Sequence, residues 1–201
     1  MPSEPVAVLG FRPHTYWTAA VALAGPSESP QVIERRRITF AFGQERFAFH
    51  GAAEMDPAEA PSFIAKIRAA TEANAAREIG SLIADLRNDG VCVRVAVSAA
   101  ATAKLPEELA DILRVHARMH AAEGSLSRDV VASACSALGL EVRRVVERDL
   151  PILAAQLLSP EGSSLEARLK AMGAALGPPW SEDYRLATQA AWIHLGDATA
   201  D

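Results

Sequence analysis

The sequence predicts an α/β fold, a five-stranded mixed sheet flanked by helices, and three observations carry that expectation. Strand-like runs crowd the first 50 residues. Two further β-branched runs, Val91 to Val97 and Glu141 to Val146, are each set between helix-period segments. Only 5 % of the chain is aromatic, and alanine makes up much of its 50 % apolar fraction, which suits closely packed helices rather than an all-β sandwich. Its 201 residues fit one ordinary domain, assigned to residues 1–195, with 196–201 as a frayed tail.

Val6 to Phe11 is a short apolar run suited to a central strand covered on both faces. Thr15 to Ala24 reads as the second strand and Val32 to Phe42 as the third, with Gly25-Pro26 to Pro30 as the turn between them. Glu34, Arg35, Arg36 and Arg37 charge both faces of the third strand, which marks it as an edge defended against self-association. Pro57 to Pro61 closes the β region. Ser62 to Asn88 reads as one long helix with Phe63, Ile64, Ile67, Ile79, Leu82, Ile83 and Leu86 as its packing stripe, stopped by Asn88-Asp89-Gly90. After the fourth strand, Pro106 to Ala122 and Ser127 to Leu138 read as two helices separated at Gly124. The fifth strand follows. Asp149 to Leu158, Leu165 to Leu176 and Ser181 to Leu195 read as closing helices, with a joint at Ser159 to Ser164. Helix-linked strands favour a parallel central region, and the initial meander is antiparallel beside it.

The net charge of −5 argues against a protein coated in phosphate-binding basic charge, though not against a local basic patch. Cys92 and Cys135 have no clustered spacing, so they read as reduced core thiols of a cytosolic protein rather than as a disulfide or zinc framework. Met1 to Pro5 lacks a basic stretch leading into an apolar one, so no secretory signal is expected. The longest apolar stretches, such as Trp17 to Ala24, fall short of the roughly 20 residues that span a bilayer. A soluble cytoplasmic protein without membrane contact is expected. The phosphate-loop, dinucleotide and nucleophile-elbow glycine motifs are absent.

The most unusual stretch runs from residue 109 to 129. Leu109, Ile112, Leu113, His116, His120 and Glu123 recur at helical spacings of three and four, so a core-facing stripe turns titratable partway along. His116, His120 and Glu123 form an H-x-x-x-H-x-x-E pattern in which two imidazoles one turn apart can share zinc or a similar ion. Set against it is a reading in which the histidines pack at a helix–sheet boundary and Glu123 satisfies backbone or arginine donors, since a single-helix histidine pair often binds nothing without a third ligand in place. No metal site is assigned on that pair alone. Arg128 and Asp129 start the next predicted helix, and Arg128 paired with Glu123 beside His120 is the expected polar network. Such a network either holds two helices together or binds a phosphate or carboxylate ligand. His14, Tyr16 and Trp17 follow the first strand, as ligand-holding groups or as a packed hairpin. Asp183 follows Ser181 at a helix start, where the helix dipole and a serine cap suffice to explain it. Arg35, Arg36, Arg37 and Arg46 offer a basic strip, interleaved with acids and expected as a solvated edge.

The element order is similar to that of the ribonuclease H-like superfamily, and within it the RuvC-like resolvase branch. Met119 to Leu150, MHAAEGSLSRDVVASACSALGLEVRRVVERDL, resembles the resolvase stretch in which a small-residue helix end leads through a second helix into a strand. Ser181 to Leu195, SEDYRLATQAAWIHL, resembles the family's last helix. The resemblance implies nucleic-acid cleavage by two divalent ions, magnesium or manganese, held about 4 Å apart by acids from the first strand, the fourth strand and the final helix. This chain departs from that plan. Val6 to Phe11 holds no carboxylate, and Arg12 and His14 follow it. The fourth strand has Arg94 as its only charge, and one turn after Asp183 stands Leu186. The expected function is therefore a non-catalytic binding or interaction protein of bacterial type on a resolvase-like scaffold. The alternative is a divergent magnesium- or manganese-dependent nuclease recruiting Glu123, Asp129 or Asp183. His14, Tyr16, His116, His120 and Arg128 are the candidate ligand-binding residues. Nucleic acid, a protein partner or a second copy of the chain are the candidate partners.

Overall fold

The chain begins with an antiparallel meander, β1 (Val6–His14), β2 (Trp17–Ala24) and β3 (Gln31–Thr39), in the computed structural model, which describes residues 4–100, 104–158 and 164–199. A 3-10 turn (Gly43–Phe47) leads to α1 (Ala48–Ala53) and α2 (Ala60–Asn88), then to β4 (Cys92–Ala100). Next come α3 (Leu109–Leu113), α4 (His116–Ala137), β5 (Glu141–Val146), α5 (Leu150–Leu158), α6 (Leu165–Leu176), α7 (Glu182–Trp192) and α8 (Leu195–Thr199). The sheet order is β3-β2-β1-β4-β5. β1 pairs antiparallel with β2 and parallel with β4, and β4 pairs parallel with β5. The mixed five-stranded sheet, its parallel centre and the charged edge strand β3 are as the sequence predicts.

The alternation of β1 builds the two layers. Ala7, Leu9 and Phe11 face one side, in a core with Ile79, Leu82 and Leu86 of α2 and Val130, Val131 and Ala134 of α4. Val8 faces the other, in a core with Val95, Val97, Leu150, Leu186, Ala190 and Trp192. Gly10 lies on that second face, where α7 crosses so closely that a Cβ would overlap the carbonyl oxygen of Ala187. A side chain there would push α7 off the sheet.

Three local expectations are corrected. The stretch after β3 is not extended: the 3-10 turn and α1 occupy it. α1 has Phe47 at its N-cap with no side-chain cap of its own, so no local signal announces it. Gly124 does not break a helix. The break falls after Arg114, at Val115, whose backbone is extended, and α4 runs unbroken through Gly124. The guanidinium of Arg128 packs over Gly124, 3.3 Å from where a Cβ would stand. Finally, the tail is not wholly frayed. Leu195 and Ala198 of α8 are buried in the core with Trp192, while residues 200 and 201 lie outside the described set, as do 159–163 of the predicted joint.

No helix among the described residues is long and apolar enough to cross a membrane. Cys135 is buried, and burial pushes its thiol up to about 12; Cys92 is only half-buried, against expectation.

Candidate functional site

Side chains from the C-terminal end of β1, the start of α7, the turn after β5 and the middle of α4 converge on one partly exposed polar site, the β1 cleft. Alternation along β1 puts Arg12 and His14 on the α7 face, like Gly10, so both point at the first turn of α7. Arg12 forms a short ion pair through Nη1 with Oδ1 of Asp183. Its Nε and Nη2 reach Oε1 of Glu147 at 3.3 and 2.9 Å. Nε2 of His14 lies 2.8 Å from Nη1 of Arg12 and 2.8 Å from Oδ1 of Asp183. His14 thus either accepts from the guanidinium or donates to the carboxylate, according to its tautomer and charge.

Electrostatics follow from this packing. Burial alone would lower the Arg12 pKa, but hydrogen bonds and attraction from Glu147 and Asp183 outweigh it and raise the value. Burial alone would raise Asp183; hydrogen bonds and charge from His14 and Arg12 hold its carboxyl below the ordinary value. Asp183 therefore stays ionised, and its charge is committed to a guanidinium. Ser181 Oγ sits 3.4 Å from Asp183 Oδ2 and makes no cap hydrogen bond to the helix, contrary to the predicted serine cap.

A ring of aromatic and cationic groups borders this cleft. His14 stacks on Trp17, its partner across the β1–β2 hairpin, at 4.2 Å and 7°. Arg37 lies 3.8 Å over the Trp17 ring and Arg46 3.8 Å over the Tyr16 ring. Tyr16 has φ of 88° and donates its backbone N–H to Oγ of Ser127 on α4 at 3.3 Å, which ties the hairpin to that helix. Next to Ser127, Arg128 is half-buried, and burial lowers its pKa against the pull of Asp129 and Glu147. The remaining β3 arginines are tied down rather than freely solvated: Arg35 donates to the carbonyl of Gly177 at 2.8 Å, and Arg36 pairs with Asp85 at 3.0 Å.

A second cluster lies at the N-terminal end of α4. Nε2 of His116 and Nε2 of His120 are 3.0 Å apart. His50 of α1 joins them, with ring centroids 5.1 Å from His116 and 4.7 Å from His120. One ring nitrogen from each of the three lies within 4.8 Å of the others. The imidazoles line an open cavity of about 710 Å³ whose apolar wall includes Phe47, Met55 and Phe63, with Glu54 also on its lining. Glu123, only 2 % exposed, sits behind His50. Its Oε1 accepts from the backbone N–H of Phe49 at 2.8 Å and of His50 at 3.4 Å, and lies 3.2 Å from Nδ1 of His50. A carboxylate from α4 therefore caps the otherwise uncapped N-terminus of α1.

The predicted site residues thus divide into three places. His14 and Asp183 meet in the cleft, with Tyr16 and Arg128 on its border. His116, His120 and Glu123 gather around His50. Asp129 has other partners, Arg144 at 3.0 Å and Arg68 at 3.8 Å. The structure does not bring Glu123, Asp129 and Asp183 together. The expected Arg128–Glu123 pair is also corrected. With α4 continuous, residues five apart point to different sides of one helix, and Glu123 turns to α1 instead. Sequence reasoning missed Arg12, Glu147 and His50 as site residues. Arg12 had a signal, since it closes the strand on which the resemblance implies an acid. His50 had none, because its helix is invisible to periodicity.

A two-ion clamp does not fit the residues present in the cleft. Asp183 is the one acid found at the three implied positions, and Arg12 is bound both to it and to Glu147, the second acid of the site. Opposite Phe11 on β1, β4 presents Ser98, whose buried Oγ has no partner among the described residues.

No protein-family model and no curated protein matches the chain. Among solved structures it is similar to Thermus thermophilus RuvC in complex with Holliday junction substrate, with 10 % identity over 94 % of this chain and 92 % of that one, at a TM-score of 0.53. A second Thermus thermophilus RuvC structure has 11 % identity over the same shares, at a TM-score of 0.48. The likeness is one of fold: this chain has the resolvase-like, ribonuclease H-like α/β architecture.

Proposed function

We propose that this chain is a non-catalytic binding protein on a resolvase-like scaffold, and that its cleft takes a structured nucleic acid. The single observation that carries the reading is Arg12 held between Asp183 and Glu147. A guanidinium in that place neutralises the two carboxylates that would otherwise attract divalent cations, and a cleft so neutralised no longer repels phosphate. The rim supports the same ligand class. Arg37 over Trp17 and Arg46 over Tyr16 pair cations with flat rings, the combination that meets backbone phosphates and unstacked bases. Half-buried Arg128 adds a donor to the α4 wall. The RuvC that shares the fold is described with a Holliday junction substrate, which makes branched DNA the first ligand to try.

The test incubates the protein with branched and single-stranded DNA and RNA in magnesium or manganese, and in parallel measures binding by fluorescence anisotropy. No cleavage is expected. Binding should weaken as salt rises and weaken further in Arg37→Ala and Arg128→Ala. Metal-dependent cleavage that disappears in Asp183→Asn would instead establish a divergent nuclease.

A further inference from the structure

The three imidazoles sit on α1 and at the start of α4, and their partners are one another and Glu123 rather than Arg12, Asp183 or Glu147. His116 and His120 are exposed and closely opposed, an arrangement in which two protonated rings would repel each other. Two Nε2 atoms bound to one tetrahedral zinc stand about 3.4 Å apart, given zinc–nitrogen bonds of about 2.0–2.1 Å. The observed 3.0 Å is close to that spacing before any ion is present to set it. His50 supplies the third ligand that a helical histidine pair lacks. Its Nδ1 faces Glu123, which leaves Nε2 for an ion. A carboxylate behind the non-coordinating nitrogen is the arrangement that fixes tautomer and ring orientation in metal sites.

We propose that His50, His116 and His120 bind one divalent transition-metal ion of the zinc class, oriented by Glu123, with the fourth coordination position opening into the adjacent cavity. Three neutral nitrogen ligands select zinc, cobalt, nickel or copper over magnesium and calcium, which demand oxygen. Three protein ligands also leave room for a water or an anionic ligand group, and the cavity of about 710 Å³ gives such a ligand access. The ion would tie α1 to α4 at the point where Glu123 already joins them. The ligand set shares no residue with Arg12, Asp183 and Glu147, so failure of metal binding and failure of nucleic-acid binding are read by different variants.

The experiment is titration of the chelator-stripped protein with zinc by calorimetry and with cobalt by visible absorption. One ion per chain is expected, with the intense visible bands of four-coordinate cobalt and a melting temperature raised by zinc. His116→Ala, His120→Ala and His50→Ala should each lose one-to-one binding in the range where the parent saturates. His116 and His120 are exposed, so their variants should keep the parent's circular dichroism. Glu123→Gln should bind about 10–100-fold more weakly. The proposal is overturned by absence of stoichiometric binding, by weak six-coordinate cobalt spectra, or by a His50→Ala variant with the parent's affinity, which would leave only a surface histidine pair.

Discussion

Arg12 of β1 and Asp183 of α7, 171 residues apart in the chain, form an ion pair at the mouth of the cleft. The pair ties the last strand turn of the central β1 to the first turn of the helix that packs across it. Arg12→Ala would leave Asp183 with His14 alone and Glu147 without its guanidinium partner. Both Arg12 and Asp183 keep about a fifth of their side-chain surface in water, so the loss should be moderate, about 1–2 kcal/mol by urea unfolding. An unchanged unfolding midpoint would show that the pair contributes nothing net.

Stability should fall in two steps on acidification. Burial, then Arg143, lowers the His194 pKa, whereas the unfolded chain titrates near the ordinary value of about 6.5. That contribution is complete above about pH 6.5 and is lost as pH falls through the folded value, because the unfolded state takes the proton first. Asp183 behaves alike at lower pH. Its folded value lies below the ordinary carboxylate value of about 3.9, so its contribution is present above that pH and disappears through the folded value. Unfolding midpoints at constant ionic strength should lose the upper step in His194→Asn and the lower in Asp183→Asn. Identical pH profiles in parent and variants would refute the assignment.

Gly10→Ala should be among the most damaging single-methyl additions in this chain. The new Cβ would meet backbone, not a flexible side chain, since the carbonyl of Ala187 occupies the space. Separating α7 from β1 also disturbs the core around Val8 and Ala191. A loss of about 3 kcal/mol is expected from such overpacking, read as a lowered melting temperature. The same change at Gly90, with nothing within 4 Å but φ of 77°, should cost less, about 1 kcal/mol from backbone strain.

Glu123→Ala should loosen α1 specifically. It removes the acceptor for Phe49 and His50 N–H and leaves those donors without a partner, costing about 2 kcal/mol. Glu123→Gln keeps an acceptor oxygen and should recover part of the loss. Hydrogen exchange at residues 49–53 is the sensitive readout, and protection there equal to the parent's in the alanine variant would rule the cap out.

Strand number, strand type and the antiparallel-then-parallel order were legible because residue alternation and helix period are written locally. The helix Leu165–Leu176 coincides with its predicted bounds, framed by Ser164 at its N-cap and Gly177 after its end. α1 was not legible, because its cap comes from Glu123, 74 residues from Phe49. Gly124 misled for a related reason. The penalty of about 1 kcal/mol for glycine within a helix is smaller than what α4 gains by packing Val130, Val131 and Ala134 into the sheet core.

By itself, then, the sequence determined the layered α/β fold, the charged edge at β3 and the shortage of acids at the end of β1. Only tertiary structure decided what the polar groups do. It set Arg12 on Asp183 rather than leaving the acid open, turned Glu123 toward α1 rather than Arg128, and brought His50 to His116 and His120. Periodicity reports which face of an element is apolar, and apolar burial is non-directional. Polar groups need particular partners at particular distances, and those partners come from elements that only the folded sheet brings together.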